Sequence, residues 1–235
     1  VRPVFQIGLH SRDIDLLKNI QLYFGNCGSI IKQGENSFSF RVFSFKEFHN
    51  ILDHFDQYPL QSCKHADFIF FKEIILKIRN GEHLTVKGLQ DIVNIKANLN
   101  KGLSPLLKEA FPLFVPVPRT IAVAQQINPV IPNPYWLAGF AEGESCFTIS
   151  LNKNSATKTG YIVSLKFEIS QDLRDEKLLQ NIVAYIGCGK IYRLTTGSFN
   201  RGNLMVSKLS DILNKIIPFF LAYPLLGVKS KAFQN

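Results

Sequence analysis

The residues whose types and spacing could do chemistry gather in one stretch, Trp136 to Cys146, which reads W-L-A-G-F-A-E-G-E-S-C. It carries two carboxylates, Glu142 and Glu144. Such groups are hard oxygen donors suited to Mg²⁺ or Ca²⁺, and a divalent ion held there can activate water or steady a departing oxygen, above all if a partner helix brings a second acid. A helix must position them. Asn133-Pro134 supplies its start signal, because an Asn side chain accepts from free N–H groups and Pro loses nothing at the first helical position. Gly139 and Gly143 stand four apart with Ala138 beside them, so one face is nearly bare and a second helix can approach backbone to backbone. On spacing alone the stretch reads equally as a buried helix-packing motif with two solvated glutamates.

The flanking elements follow from hydrophobic period. Val1 to Leu9 alternates as a strand, and Asp13 opens a helix with Leu16, Leu17, Ile20, Tyr23 and Phe24 on one face. Ser29–Gln33 and Ser37–Phe43 read as strands around Gly34-Glu35-Asn36. A helix from about Lys46 buries Phe48, Ile51, Leu52 and Phe55; Asp67–Arg79 forms another, and two shorter helical pieces lie within Leu84–Asn98, with Thr85 and Gly88 marking ends. Six prolines within residues 111–135 mark a linker. After the Trp136 helix come strands Phe147–Leu151 and Tyr161–Ile169, and then strands near 190–206.

The second half repeats the first. Phe5-Gln6-Ile7 and Phe167-Glu168-Ile169 are 162 positions apart, and the same shift carries Arg12-Asp13, Leu16-Leu17 and Asn19-Ile20 onto Arg174-Asp175, Leu178-Leu179 and Asn181-Ile182. Cys27-Gly28 meets Cys188-Gly189, and Tyr58-Pro59-Leu60, Lys64 and Phe68 meet Tyr223-Pro224-Leu225, Lys229 and Phe233. A slowly drifting shift of this kind is an internal duplication with small loop changes. It places the first repeat's own copy of the Trp136 helix about 25 residues ahead of Val1, and the helices that complete the second repeat beyond Asn235. The expected organisation is a first repeat over 1–110, a linker over 111–133 and a second repeat over 134–235, clipped at both ends. Asp13 and Asp175 are repeat-matched acids, but both open helices and read as caps rather than as a catalytic pair.

Composition bounds the function. The 235 residues are 46% hydrophobic with a formal net charge of +9, which points to a globular chain with a polyanionic partner more than a small substrate. The longest apolar run, 216–228, is broken by Pro218 and Pro224, so no membrane helix is expected. Four scattered Cys and five His confined to the first 83 residues support neither a disulfide framework nor a zinc site.

Leu137-Ala138-Gly139-Phe140-Ala141-Glu142-Gly143-Glu144 resembles the signature of the LAGLIDADG family of homing endonucleases and related intron maturases. Ser145 stands where the family usually has Gly. The resemblance covers essentially the whole chain, including His83-Leu84-Thr85 through Lys96-Ala97-Asn98, a theme of single-chain fungal members. It implies an α+β fold of tandem αββαββα repeats with pseudo-twofold symmetry, in which two signature helices pack at the centre and saddle-shaped antiparallel sheets track DNA. It further implies that Glu144 is the metal-binding catalytic acid, while the earlier acid, Glu142, varies. Gln171 matches a Gln that orders active-site water, with Leu9 in its place in the first repeat; Lys229 and Lys64 match the basic residue near the scissile phosphate. Mg²⁺ is the implied cofactor, and Ca²⁺ could occupy the site without supporting cleavage.

If the carboxylate end of the helix faces DNA, strand alternation points Thr148, Ser150 and Asn152 the same way as Ser164, Lys166 and Glu168. Lys190, Tyr192, Arg201 and Asn203 join them. The first-repeat counterparts are Arg2, Gln6, Ser29 and Gln33, with Ser37, Ser39 and Arg41. A polar strand face of this kind suits base reading in the major groove, although an ordinary solvated sheet face has the same pattern. Two functions follow from the resemblance: a site-specific double-strand DNA endonuclease encoded in an organellar, mitochondrial group I intron and monomeric at full length, or a maturase that binds its host intron RNA without cutting.

Overall fold

The computed structural model describes residues 2–99, 102–119, 130–196 and 199–234. The chain divides into two compact units, Val1–Asn128 and Pro129–Asn235. The division falls in the proline-rich stretch, of which residues 120–129 lie outside the described residues.

In the first unit β1 (Phe5–His10), β3 (Ser37–Val42) and β2 (Ser29–Lys32) form an antiparallel sheet in the order β1-β3-β2. Alternation decides its faces. Phe5, Ile7, Leu9, Phe40 and Val42 turn to a core shared with Leu17 of α1 (Ile14–Tyr23) and with Phe48 and Ile51 of α2 (Phe48–Gln57). A second cluster joins Phe70, Ile74 and Ile78 of α3 (Lys64–Arg79) to Ile92 and Ile95 of α4 (Val86–Lys96). The two short helices expected over Leu84–Asn98 are thus a 3₁₀ turn, Glu82–Leu84, followed by one continuous helix. Thr85 caps it by accepting from the Gly88 N–H at 3.0 Å. Gly88 is therefore no helix end; it sits in the first turn, where an added Cβ would collide with the Glu82 carbonyl oxygen. After α5 (Pro105–Ala110), the first part of the expected linker lies along α4. Val117 N–H donates to Asn94 O at 3.1 Å, and Arg119 pairs with Asp67 while its Nε donates to Asn98 O at 3.0 Å.

The second unit begins with α6 (Pro134–Glu144) and runs without a break into β4 (Ser145–Lys153). β5 (Tyr161–Asp172), β6 (Lys190–Thr196) and β7 (Phe199–Val206) complete a sheet of order β4-β5-β7-β6. Its core holds Leu137 and Ala141 of α6, Phe167 and Ile169 of β5, Leu204 of β7, Leu178, Leu179 and Ile182 of α7 (Glu176–Ile186), and Ile216 and Phe220 of the helical segment α8 (209–222). Within α8 the turn Ile212–Ile216 is π-helical. That widening precedes Pro218, whose ring would otherwise press on the carbonyl four residues back. The last helix is α9 (Lys229–Gln234).

The ladders bear out the duplication. β1-β3-β2 of the first unit has the same order as β5-β7-β6 of the second. Phe5 pairs with Val42 as Phe167 pairs with Val206, and Ser29 pairs with Arg41 as Lys190 pairs with Met205. Leu17 and Leu179 are both fully buried at matched positions. Asp13 and Asp175 occupy the N-cap positions of α1 and α7, yet neither side chain makes the capping hydrogen bond. Capping has moved to the 3₁₀ turn ahead of each helix, where His10 accepts from the Arg12 N–H and Asp172 from the Arg174 N–H.

Candidate metal-holding carboxylate and nucleic-acid face

The signature helix forms for the local reasons its sequence suggests. Asn133 Oδ1 accepts from the Trp136 N–H at 2.8 Å and Pro134 fills the first turn. Leu137 and Ala141 anchor one face in the core, and the Trp136 and Phe140 rings stack at 5.0 Å. Gly139 and Gly143 lie on the exposed side, where an added Cβ would meet nothing within 4 Å. Ala138 differs from its expected place beside them on the bare face, since it is buried.

The two acids have separate surroundings. Glu142 is half-buried, and its Oε2 accepts from the Gly227 N–H at 2.9 Å. Glu144 is exposed, and no hydrogen bond or ion pair reaches it among the described residues. It is also the last residue of α6, whose final turn carries no basic side chain of its own. A carboxylate there meets the partial negative charge of the free carbonyls. The donor type, exposure and field all fit a hard divalent cation. No group of three or more His, Cys, Asp or Glu side chains gathers among the described residues, so a cation at Glu144 would draw its other ligands from water, phosphate oxygens or another segment, as Mg²⁺ commonly does. Ser145, in the place of the usual Gly, donates from Oγ to Ala141 O at 2.6 Å, closing the helix while β4 starts at once.

Lys229 comes to the same end of α6, its Nζ donating to Ala141 O at 3.3 Å. Lys64, its repeat counterpart, pairs instead with Asp67 at 3.7 Å, and Asp67 is held in turn by Arg119. Lys64 and Asp67 line a cavity of about 280 Å³ with Phe5, Phe55, Leu60 and Phe68. The second-unit counterparts Phe167, Phe220, Leu225 and Phe233 pack with Leu137, Ala141 and Phe147. The first unit thus carries a cavity where the second packs its signature helix. Gln171 is half-buried on the helix-covered face of β5, opposite Gly202 and two residues beyond the Ser145–Ile169 pair. It lies where the chain leaves α6, on the other face from the polar set.

That polar set is brought together by register. Thr148 faces Lys166, Ser150 faces Ser164 and Asn152 faces Ile162; Tyr192 faces Asn203, and Lys190 and Arg201 continue the same open face. Glu168 lies there as well, beside Cys146 and Met205. In the first unit Gln6, Ser29, Ser37 and Arg41 share the open face, while Arg2 and Gln33 lie outside the strands. Ser39 is a correction. It is fully buried on the central strand and receives a hydrogen bond from Gln6 Nε2 at 3.3 Å, so it holds Gln6 and presents no exposed surface of its own. Arg41 Nε is buried without a hydrogen-bond partner among the described residues, a donor that an incoming acceptor would satisfy. Parity alone would also have named Ser170, whose Oγ lies 2.9 Å from Asn203 Oδ1, and Asp172. The backbone N–H and then the guanidinium of Arg174 hold the Asp172 carboxyl below its usual range. Among the described residues no helix is long and apolar enough to cross a membrane.

Known proteins resemble the chain along nearly its whole length. A family model described as LAGLIDADG endonuclease matches residues 1–75 and 137–235. A Neurospora crassa protein named "Probable intron-encoded endonuclease 3" is 38% identical over 96% of the chain and 41% of its own length. The chain spans half or less of the length of the curated relatives it matches first. The crystal structure of the meganuclease I-SmaMI bound to uncleavable DNA superposes with a TM-score of 0.93 at 38% identity, over 99% of this chain and 77% of that one. I-SmaMI bound to uncleaved DNA in the presence of calcium ions gives 0.92 at 39% identity, over 98% and 77%.

Proposed function

Since this chain belongs to the LAGLIDADG endonuclease family, we propose that it acts in a site-specific homing endonuclease that cuts double-stranded DNA by hydrolysing phosphodiester bonds with a divalent metal. The observation that carries this reading is the exposed Glu144 carboxylate, without a partner among the described residues, at the C-terminal end of the signature helix and beside the start of a polar sheet face.

Glu144 would hold the metal, with Mg²⁺ the physiological ion and Ca²⁺ an occupant that does not support cutting; the relative bound to uncleaved DNA with calcium ions accords with that division. The metal, once bound, supplies Lewis-acid stabilisation of charge on phosphate oxygens. Lys229, at the start of α9 with its Nζ on the Ala141 carbonyl of the signature helix, offers a cation to the phosphate, and Gln171, where the chain leaves α6, offers an amide to a water. Arg41, Lys166, Lys190 and Arg201 supply charge to phosphates or guanine edges, while Thr148, Ser150, Asn152 and Asn203 offer donors and acceptors to bases. The open Gly139/Gly143 face, where an added Cβ would meet nothing within 4 Å, suits the close approach of a second helix that brings a second acid.

An organellar intron is the proposed location of the gene and the mitochondrion the proposed site of action; the intron-encoded relatives support the intron. The test is to incubate the full-length protein with Mg²⁺ and a plasmid carrying the intron-free insertion junction. One double-strand cut at the junction supports the proposal. Intron splicing assisted without any cut would support the maturase reading instead.

A further inference from the structure

We infer that Glu142, the half-buried acid of the signature, is a positioning residue: it ties the segment ahead of α9 to the last turn of α6 and so sets Lys229 beside the end that carries Glu144. The inference rests on the endonuclease reading and adds a role for a residue that reading leaves idle. Two hydrogen bonds join the same pair of short segments. Glu142 Oε2 accepts from the Gly227 N–H at 2.9 Å, and two residues further on Lys229 Nζ donates to Ala141 O at 3.3 Å. The partners are adjacent on α6 and 85 and 88 residues away along the chain. The turn between them is closed by its own bonds, with Ser230 N–H and Ser230 Oγ both donating to Gly227 O, at 3.1 and 2.7 Å. Gly227 is thus gripped on both sides, its N–H by Glu142 and its carbonyl by Ser230, and Lys229 lies inside that closed turn.

Charge explains why an acid holds this place. A carboxylate accepting from a backbone N–H makes a bond about twice as strong as a neutral one. The neighbouring Leu225 is buried, which anchors the approach to the turn in the core and leaves the tie to set its angle against α6. Without the tie Lys229, whose long stem has several rotatable bonds, loses a fixed origin. A displacement of about 1 Å at a group that meets the reacting phosphate is enough to cost on the order of 100-fold in rate.

Hydrogen exchange and cleavage kinetics on the full-length protein test this together. Glu142→Ala is expected to release protection of the Gly227 amide and to slow single-turnover cutting by about 10- to 100-fold, as loss of a charge-assisted bond implies, with DNA affinity within about threefold. Glu142→Gln keeps an acceptor oxygen but not the charge, and is expected to restore part of the protection and part of the rate. In a Lys229→Ala background, Glu142→Ala should cost little further, because residues acting through one group are not additive. Equal Gly227 protection in wild type and Glu142→Ala would overturn the tie whether or not the protein cuts. Independent, multiplying losses in the double variant, or a Glu142→Gln protein as slow as Glu142→Ala, would overturn the positioning role. A wild-type protein that never cuts, with Gly227 protection lost in Glu142→Ala, would leave the tie standing and sink the endonuclease reading.

Discussion

Replacing Glu144 with Gln should stabilise the metal-free protein. Glu144 is the terminal residue of α6, exposed and without a partner among the described residues. An anion at that end of a helix opposes the macrodipole by about 0.3–1 kcal/mol at low ionic strength. Lys229, on the Ala141 carbonyl, already offsets part of the field, which favours the lower half of the range. Gln keeps the shape and removes the charge, so for a chain of this size the melting temperature should rise by about 1–3 °C in chelator and low salt. Mg²⁺ then reverses the order. A cation at ten times its dissociation constant stabilises the protein that binds it by about 1.4 kcal/mol, more than the dipole gain, and the Gln variant loses that response. Paired melts with and without Mg²⁺ should therefore cross. A Glu144→Gln protein less stable than wild type in chelator, or a rise with Mg²⁺ that is equal in both, would refute the reasoning.

Asn133→Ala removes the cap of the signature helix and should cost about 0.5–2 kcal/mol, read by urea unfolding of the second unit. Arg41→Ala should weaken binding to any DNA and lower the slope of log affinity against log salt by about one if the side chain meets a phosphate, measured by titration across salt concentrations. Burial holds the His54 imidazole below its ordinary pKa of 6.5, and burial does the same to His65. The unfolded chain then binds more protons in the window from above 6.5 down to the depressed folded values, so stability should fall as pH drops through it. A His54→Phe protein, melted from pH 8 to pH 5, should lose less over that range than wild type.

Much of this architecture is legible from local rules. Asn133-Pro134 marks the start of α6 because capping is local, and alternation in Phe167-Glu168-Ile169 gives the two faces of β5 because its period is short-range. The duplication carries those readings from one repeat to the other, down to the residue pairs Phe5–Val42 and Phe167–Val206. What escaped was set by tertiary neighbours. Parity placed Ser39 on the open face correctly but could not see that a central strand position would be fully covered. Gly88 reads as a helix end until the close approach of the Glu82 carbonyl supplies another reason for a glycine. The proline-rich segment looks like a free linker, yet Arg119 binds it to Asp67, 52 residues earlier. Glu142 and Glu144 are indistinguishable by type and spacing, and only a partner 85 residues away separates the tied acid from the open one.

The proposed assignment of the catalytic metal to the Glu144 carboxylate is decided by anomalous diffraction from crystals of the full-length protein on its DNA target with Mn²⁺ in place of Mg²⁺. A peak is expected at coordination distance, about 2.0–2.2 Å, from a Glu144 oxygen, absent in the Glu144→Gln protein, with Glu142 still accepting from Gly227. A peak on Glu142, or occupied metal positions that leave Glu144 without a bond, would contradict it.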